Sequence, residues 1–349
     1  MGKIKRYLDC HIPITTCNLK CSYCYIAQLD QFQNVKPKVF HTLDVEKKAF
    51  SQERLGGPCL VNLCAGGETL LYPDIAGLVR VILENGHYVM IVTNGLLTHK
   101  IEELLEIDYE LRKRIFFKFS YHYVELKRLN LFEQYFENIN KVRRAGASFT
   151  CELTPCDEEI EYIDDIKKRC MDNLGAWPHV TIARSDIDPD HRIPHLSNLS
   201  FEDYINTWKV FDSNLFNEKI KFFYEKRTEF CYAGDWSLFV DLETGSITPC
   251  NCGKRLGDFY DFSKPIKFRA IGNHCSLAHC FNGHSWLSLG DIPEFDIKNY
   301  AELRNRKCAD GTEWLNPTIK EAFSSKLVEQ NEEYSELKKK ITNFCYRFY

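Results

Sequence analysis

Short apolar runs alternate with longer amphipathic segments from residue 4 to about residue 184. The short runs have the composition of β-strands, and the longer ones have the helical spacing of apolar residues. Strands that alternate with helices are typical of βαβ units and of a parallel sheet. The pattern predicts strands at residues 6–15, 60–65, 88–93, 115–121, 148–154 and 180–183, and helices at residues 43–55, 75–85, 99–107, 126–145 and 158–173.

Six strands, each but the last followed by a helix, predict an α/β fold of the open (βα)6 partial-barrel type. A doubly wound sheet is the structural alternative. In both folds, ligands gather at the carboxyl ends of the strands. We therefore expect the functional site at that end of the sheet.

Polar and apolar residues alternate in the fourth and fifth strands. Ser120 and His122 share one face of the fourth strand with Lys118, and Glu152 lies on the polar face of the fifth strand. Because side chains alternate between the two faces of a strand, the polar faces are expected to line a ligand cavity inside the barrel. Ser120 and His122 are candidates for contacting ribose or substrate, although a structural hydrogen-bonding role is equally consistent with the pattern. Glu152 is a further candidate catalytic residue.

The second half of the chain has a different organisation. Residues 185–200 are predicted to be a linker, residues 201–211 a helix, and residues 319–341 a helix within a charged terminal segment. The terminal segment is expected to have a packing or capping role. We predict three parts: a barrel over residues 1–225, a cysteine-rich domain over residues 226–292, and a helical segment over residues 293–349.

Composition limits the classes of function. The net charge is −4, from 45 basic and 49 acidic residues, and no basic run is present, so nucleic acid is not expected as a partner. No apolar run is long enough for a membrane span, and the first residues lack a signal-peptide core. We expect a cytoplasmic protein, in which 16 cysteines suggest metal ligation rather than disulfides.

Cys17, Cys21 and Cys24 form a loop after the first predicted strand. Three thiolates in this spacing can hold one face of a cubic iron–sulfur cluster, whose full thiolate ligation takes four cysteines. One iron would then lack a protein ligand and could bind a small molecule. A zinc knuckle, a disulfide and three core cysteines are the alternatives, but zinc sites usually show two separate ligand pairs.

The loop, with Tyr23 before its last cysteine, resembles the CxxxCxxC signature of the radical S-adenosylmethionine (SAM) enzymes. The resemblance implies a [4Fe–4S] cluster whose open iron is chelated by the amino and carboxyl groups of SAM. It also implies reductive cleavage of SAM to a 5′-deoxyadenosyl radical, which abstracts a substrate hydrogen atom. An external reductant such as flavodoxin or ferredoxin is then an expected partner.

Two further motifs resemble the same family. Gly66, Gly67 and Glu68 follow the second predicted strand and resemble its Gly-Gly-Glu motif, which implies binding of the SAM amino group with Glu68 as charge partner. Thr69 stands where the family usually has proline. Asn94, after the third predicted strand, lies in a Thr-Asn-Gly sequence that also resembles the family pattern; a simple turn is the alternative.

The cysteine-rich region contains Cys231, Cys250, Cys275 and Cys280. By themselves, these residues would favour a zinc ribbon. The Cys-x13-Gly-x4-Cys pattern beside the first motif resembles the auxiliary-cluster extension called SPASM, or its shorter form, twitch. The resemblance implies one additional [4Fe–4S] cluster, with Cys252 as a spare ligand.

The combined expectation is a radical SAM oxidoreductase or epimerase that acts on a sugar or similar small metabolite. A peptide or protein substrate is the runner-up, because peptide-modifying members often carry a leader-binding domain and only 16 residues precede Cys17. A zinc-binding scaffold is the non-catalytic alternative. If the substrate radical is quenched by a thiol, Cys156 is the first candidate and Cys64 the second.

Overall fold

A computed structural model describes residues 3–346 and residue 348. Residues 1, 2, 347 and 349, which belong to the first and last predicted parts, lie outside the described residues. One sheet contains nine strands: β1 (Arg6–Ile12), β2 (Cys59–Ala65), β3 (Tyr88–Thr93), β4 (Ile115–Tyr121), β5 (Ser148–Leu153), β6 (His179–Val180), β7 (Ser237–Asp241), β8 (Ser246–Thr248) and β9 (Gly257–Asp258).

The sheet is open, with the strand order β6-β5-β4-β3-β2-β1-β7-β8-β9. Strands β1 to β6 are parallel and lie side by side in sequence order, so the predicted partial barrel is confirmed. Strand β7 continues the sheet by pairing parallel to β1, and β8 and β9 follow as antiparallel strands. The proposed boundary after residue 225 therefore divides the chain but not the sheet.

Helices pack against both faces of the sheet, and those on the inner face come from the last part of the chain. None of those described is long and apolar enough to cross a membrane. The α-helices are Tyr25–Gln28, Leu43–Ala49, Gln52–Leu55, Ile75–Glu84, Thr98–Leu105, Tyr109–Arg112, Tyr123–Leu129, Phe132–Arg144, Ile163–Leu174, Phe201–Trp208, Asn214–Phe222, Trp286–Leu289, Tyr300–Arg304, Pro317–Ser324 and Glu336–Tyr346. The 3₁₀ helices are Thr69–Leu71, Asp157–Tyr162, Lys209–Phe211 and Leu327–Glu329.

Several predicted elements are shorter or interrupted. The helix predicted over residues 126–145 breaks at Asn130, which has a left-handed φ of 54°. The helix predicted over residues 319–341 breaks at Ser325, whose backbone is extended. Residues 43–55 form two helices, residues 158–162 belong to a 3₁₀ turn, the first strand ends at Ile12, and the sixth strand has only two residues. The pattern of apolar residues continues through each helix break, so periodicity alone did not reveal them.

Side chains from the last part of the chain pack against the inner face of the sheet. Phe116 of β4 packs against Phe323, with ring centroids 5.1 Å apart, and Tyr7 of β1 packs against Trp286 at 5.3 Å. These residues belong to one buried apolar cluster that also contains Tyr300. The predicted packing role of the terminal segment is therefore observed, but its position inside the barrel was not indicated by the sequence.

An ion pair lies above this apolar filling. Arg304, which is 0% exposed, contacts the carboxylate of Glu152 on β5, and Lys118 on β4 lies 3.3 Å from the other carboxylate oxygen. The opposite charges hold the pKa of Glu152 below its ordinary value, although burial alone would raise it. The pair couples docking of the terminal segment to the position of a lysine inside the barrel.

We expect Arg304→Ala to lower the free energy of unfolding by about 3–5 kcal/mol, because it leaves the buried Glu152 charge with one partner fewer. Chemical denaturation followed by circular dichroism measures the change. The matched control is Lys320→Ala, which removes a partly exposed pair with Glu313 in the same segment and should cost about 1 kcal/mol or less. Equal losses in the two variants would show that the buried pair does not hold the segment.

Candidate functional site

The loop after β1 is fastened to the turn after β2 by backbone hydrogen bonds. The N–H groups of Gly66, Gly67 and Glu68 donate to the carbonyls of Ile12, Ile14 and Thr16 at 3.3, 2.5 and 3.1 Å. A Cβ atom on Gly67 would overlap the Thr16 carbonyl oxygen. Glycine is therefore required here for the two segments to approach each other.

A cavity of about 280 Å³ opens at the carboxyl ends of the parallel strands. The structure brings most of the predicted site residues into its wall. They are Cys17, Cys21, Tyr23, Cys24, Cys64, Gly66, Gly67, Glu68, Asn94, Ser120 and His122.

The three loop thiols lie together in this wall, with Cys21 buried and Cys17 and Cys24 half-buried. Burial raises the pKa of Cys17 to about 11, and it also raises the pKa values of Cys21 and Cys24. For Cys21, repulsion from the other two thiolates adds to the effect of burial. Thiols of this kind ionise readily only when a cation binds them.

The arrangement of these donors fits a cluster better than a single ion. In the described part of the chain, no three His, Cys, Asp or Glu side chains converge closely enough to hold one metal ion. Three thiols instead surround one side of a cavity, as ligands to separate irons of a cubane would. The residues present therefore fit a [4Fe–4S] cluster.

Glu68 is buried and already has three hydrogen-bond donors. Its carboxylate accepts from the Leu70 N–H at 2.9 Å, the Thr93 hydroxyl at 2.7 Å and the Asn94 N–H at 2.8 Å. Burial raises the pKa of Glu68, and these hydrogen bonds oppose that rise. The observed contacts of Glu68 thus join the ends of β2 and β3, next to the cavity wall.

Residues that follow β3 and β4 make further contacts with the cysteine loop. The Asn94 amide donates to Asn18 at 2.6 Å, and the Lys20 N–H donates to Glu125 at 2.9 Å. The Tyr23 hydroxyl lies 2.6 Å from Nδ1 of His122. Burial lowers the pKa of His122 to about 4, so its ring is neutral at pH 7.

Two predicted catalytic residues do not line the cavity. Cys156 directly precedes the 3₁₀ helix Asp157–Tyr162, and its backbone N–H donates to the Glu159 carboxylate at 3.2 Å. Its side chain is not part of the cavity wall. Glu152 lies below the cavity, where Arg304 and Lys118 contact it. Cys64, the other predicted thiol, is part of the cavity wall.

The sequence interpretation missed a further group of residues in the cavity wall. They come from the region after β6, from the helix Asn214–Phe222 and from the loop after Cys280, and no local motif marks them. The group consists of Thr181, Arg184, Asp186, Lys219, Asn282 and His284. Lys118, noted only for its place on the polar face of β4, also lines the cavity.

A second, smaller cavity lies among the remaining predicted ligands. Cys231, Cys250, Cys252, Cys275 and Cys280 all line it, and the sulfur atoms of Cys250 and Cys252 are 3.3 Å apart. Burial raises the pKa values of Cys231 and Cys280. Five thiols around one cavity provide enough ligands for an additional cluster and leave one spare.

Comparison with protein families matches residues 11–170 to the radical SAM superfamily. The matched range contains the three-cysteine loop and the Gly-Gly-Glu turn. Residues 11–170 are therefore similar to a radical SAM domain.

Comparisons with individual proteins are weaker. A protein of Methanocaldococcus jannaschii, whose name proposes glycyl-radical enzyme activation, is 26% identical over 92 residues, which are 26% of this chain and 33% of that protein. The solved structure of Streptococcus suis SuiB bound to SAM is 15% identical, with a TM-score of 0.48 over 73% of this chain and 64% of that one. anSMEcpe with bound SAM and a peptide is 16% identical, with a TM-score of 0.48 over 73% and 78% of the two chains.

The stability contribution of Asp9 on β1, which is buried and senses the charge of Lys118, depends on pH. It accepts a hydrogen bond from the Asn62 amide at 2.7 Å, and burial raises its pKa from 3.8 to about 6 despite this bond and the charge of Lys118. Because the folded state binds this proton more tightly than the unfolded chain does, the contribution of Asp9 to stability falls as the pH rises from about 4 to above 6.

We expect Asp9→Asn to remove this dependence. The stability of the variant relative to wild type should increase by about 1 kcal/mol between about pH 5 and about pH 8. Denaturant unfolding at several pH values measures the difference. The exposed Asp164→Asn variant serves as the control for removing one carboxylate. A difference for Asp9→Asn that falls or stays constant with pH would contradict the assigned cause.

Proposed function

We propose that the chain is a radical SAM enzyme that epimerises or oxidises a sugar or a similar small metabolite. The observation that supports this proposal is that three loop thiols and the Gly66–Gly67 backbone line one cavity, within the range that matches the radical SAM superfamily. The proposed functional parts are the barrel, residues 1–225, the cysteine-rich domain, residues 226–292, and the terminal segment, residues 293–349.

The residues of the cavity have distinct proposed roles. A [4Fe–4S] cluster with SAM on its open iron supplies, on reduction, the 5′-deoxyadenosyl radical that abstracts hydrogen. Cys17, Cys21 and Cys24 hold the cluster, and the Gly66–Gly67 backbone faces the SAM amino group. Glu68 positions this turn and Asn94, while Ser120 and His122 contact ribose or substrate. The enclosed cavity protects the radical from side reactions.

An auxiliary cluster is the proposed occupant of the second cavity. Cys231, Cys250, Cys275 and Cys280 are its ligands, with Cys252 available to replace one of them. This set supports the shorter, twitch-type extension, because five thiols suffice for one cubane and not for two. An external one-electron reductant such as flavodoxin or ferredoxin completes the system.

Cys64 is the proposed hydrogen donor if the reaction is an epimerisation. Its S–H bond would break and a C–H bond would form on the opposite face of the substrate radical. The resulting sulfur radical would take one electron from the external reductant and one proton from solvent. Burial raises the pKa of Cys64 to about 12, so the thiol keeps its hydrogen at pH 7.

We expect replacement of Cys17, Cys21 and Cys24 by Ala to abolish deoxyadenosine formation and to remove about half of the iron. Wild type should bind about eight irons per chain after anaerobic reconstitution, which corresponds to two four-iron clusters. Iron analysis and chromatography of SAM-cleavage products measure both effects.

The converse variant, with Cys231, Cys275 and Cys280 replaced by Ala, is the matched control and should retain the other half of the iron. SAM cleavage that survives in the first variant would refute the assignment of the loop. Loss of all iron in that variant would instead refute an independent auxiliary site.

We expect Cys64→Ala to cleave SAM and abstract hydrogen but to yield no inverted product. Wild type in heavy water should add one solvent deuterium at the inverted carbon, measured by mass spectrometry. Cys156→Ala is the matched control, because Cys156 lies outside the cavity wall, and it should retain inversion. A product two hydrogens lighter, without deuterium, would establish oxidation and leave both cysteines structural.

A further inference from the structure

Several basic groups line the main cavity. We use the name basic wall for Lys118, Arg184, Lys219 and His284, which come from four separate regions of the chain and line the same cavity. No part of the proposed radical chemistry requires cations in this position. Their partners therefore decide whether the wall is structural or is a ligand site.

Two of the cations have acidic partners. Arg184 donates to Asp186 at 3.2 Å and to Asn282 at 3.3 Å. Lys118 lies 3.3 Å from Glu152, but Glu152 also neutralises the buried Arg304. One carboxylate is thus shared between two cations.

Lys219 lacks an acidic partner among the described residues. Its side chain is 3% exposed, and its ammonium donates one hydrogen bond, to the Thr181 hydroxyl at 2.6 Å. An ammonium has three donors, so two remain for a ligand in the cavity. Burial lowers the pKa of Lys219, and the charges of Arg184, Lys118 and Arg304 lower it further, with only Glu152 opposing them.

His284 is surrounded by the same cations as Lys219. Its Nδ1 atom is buried without a hydrogen-bond partner in the described structure. Burial lowers the pKa of His284, and Lys219, Lys118, Arg304 and Arg184 all lower it further. A neutral imidazole can donate one N–H to an anion without adding to the repulsion.

The other carboxylates near the cavity are already engaged. Glu68 lies at the ends of β2 and β3, where three protein groups donate to it. Asp9 accepts from Asn62 and, with its pKa raised to about 6, holds its charge weakly. A buried charge usually has a partner, so the missing counter-charge points to a ligand.

We propose that the basic wall binds an anionic group of the substrate, a carboxylate or a phosphate. The inference rests on the proposed function, because it assigns this anion to the substrate of the same site. SAM also carries a carboxylate, but in that function its carboxylate chelates the open iron beside the three loop thiols. In this proposal the counter-charge of the basic wall is the substrate anion, which would hold the substrate in the same cavity as SAM.

The test measures binding of inorganic phosphate, acetate and glucose to the cluster-loaded chain with saturating SAM, by anaerobic isothermal titration calorimetry. We expect saturable binding of at least one of the two anions and none of glucose. Lys219→Met should weaken anion binding by about tenfold or more, because it removes a charge-assisted hydrogen bond, and should leave SAM affinity unchanged. Lys209→Met, an exposed lysine, is the matched control and should change neither.

Folding of the variants is checked by thermal unfolding. Met is nearly as long as Lys and removes a charge from a repulsive cluster, so Lys219→Met should be at least as stable as wild type. Lys118→Met provides a second variant with the same expected loss of anion affinity.

Several results would overturn the inference. The inference would be wrong if wild type bound neither phosphate nor acetate. It would also be wrong if wild type and both lysine variants bound the anion with equal affinity. Weaker SAM binding in Lys219→Met, together with no anion binding when SAM is present, would assign the wall to the SAM carboxylate. Deoxyadenosine release is measured separately: a chain that binds the anion but never cleaves SAM would refute the radical SAM function while supporting the anion site.

Discussion

The close backbone contact between the cysteine loop and the turn after β2 is the constraint on which the site depends. Three successive hydrogen bonds join the two segments, and the Gly67 position has no room for a side chain. The contact fixes the loop at the carboxyl end of the sheet, so the three thiols face the cavity. The Gly-Gly pair is thus needed for packing even before any ligand is considered, and a ligand-binding role of its backbone follows from the same geometry.

The interior of the barrel depends on residues that are remote in sequence. The cysteine-rich part supplies Trp286 to the apolar lower part. The terminal segment supplies Tyr300 and Phe323 to the same part and Arg304 to the polar layer above it. Because Glu152 contacts both Arg304 and Lys118, the docked terminal segment also helps to position a cation of the cavity. A buried ion pair stabilises little by itself, but it makes one arrangement of the two segments favourable over others. The barrel and the terminal segment therefore form one structural unit around the site.

Local signals in the sequence were sufficient for the parallel strands β1 to β6, but not for β7 to β9, and for part of the site. The alternation in β4 placed Ser120 and His122 in the cavity wall, and the cysteine spacing identified the loop. Lys219 and His284 could not be predicted, because their position depends on contacts between segments without a shared motif. Cys156 does not line the cavity: strand alternation ends at Leu153, and Cys156 caps the following 3₁₀ helix.

The cavity wall combines thiols with cations, and this combination has a mechanistic consequence. The three loop thiols and Glu68 line the same cavity as Lys118, Arg184 and Lys219. Keeping Lys219 buried among cations costs stability, and proteins commonly retain such costs at functional sites. Hydrogen abstraction requires the radical carbon and the substrate C–H to be in contact. Two ligands in one cavity, one held by the cysteine loop and one by the basic wall, would lie next to each other and near Cys64.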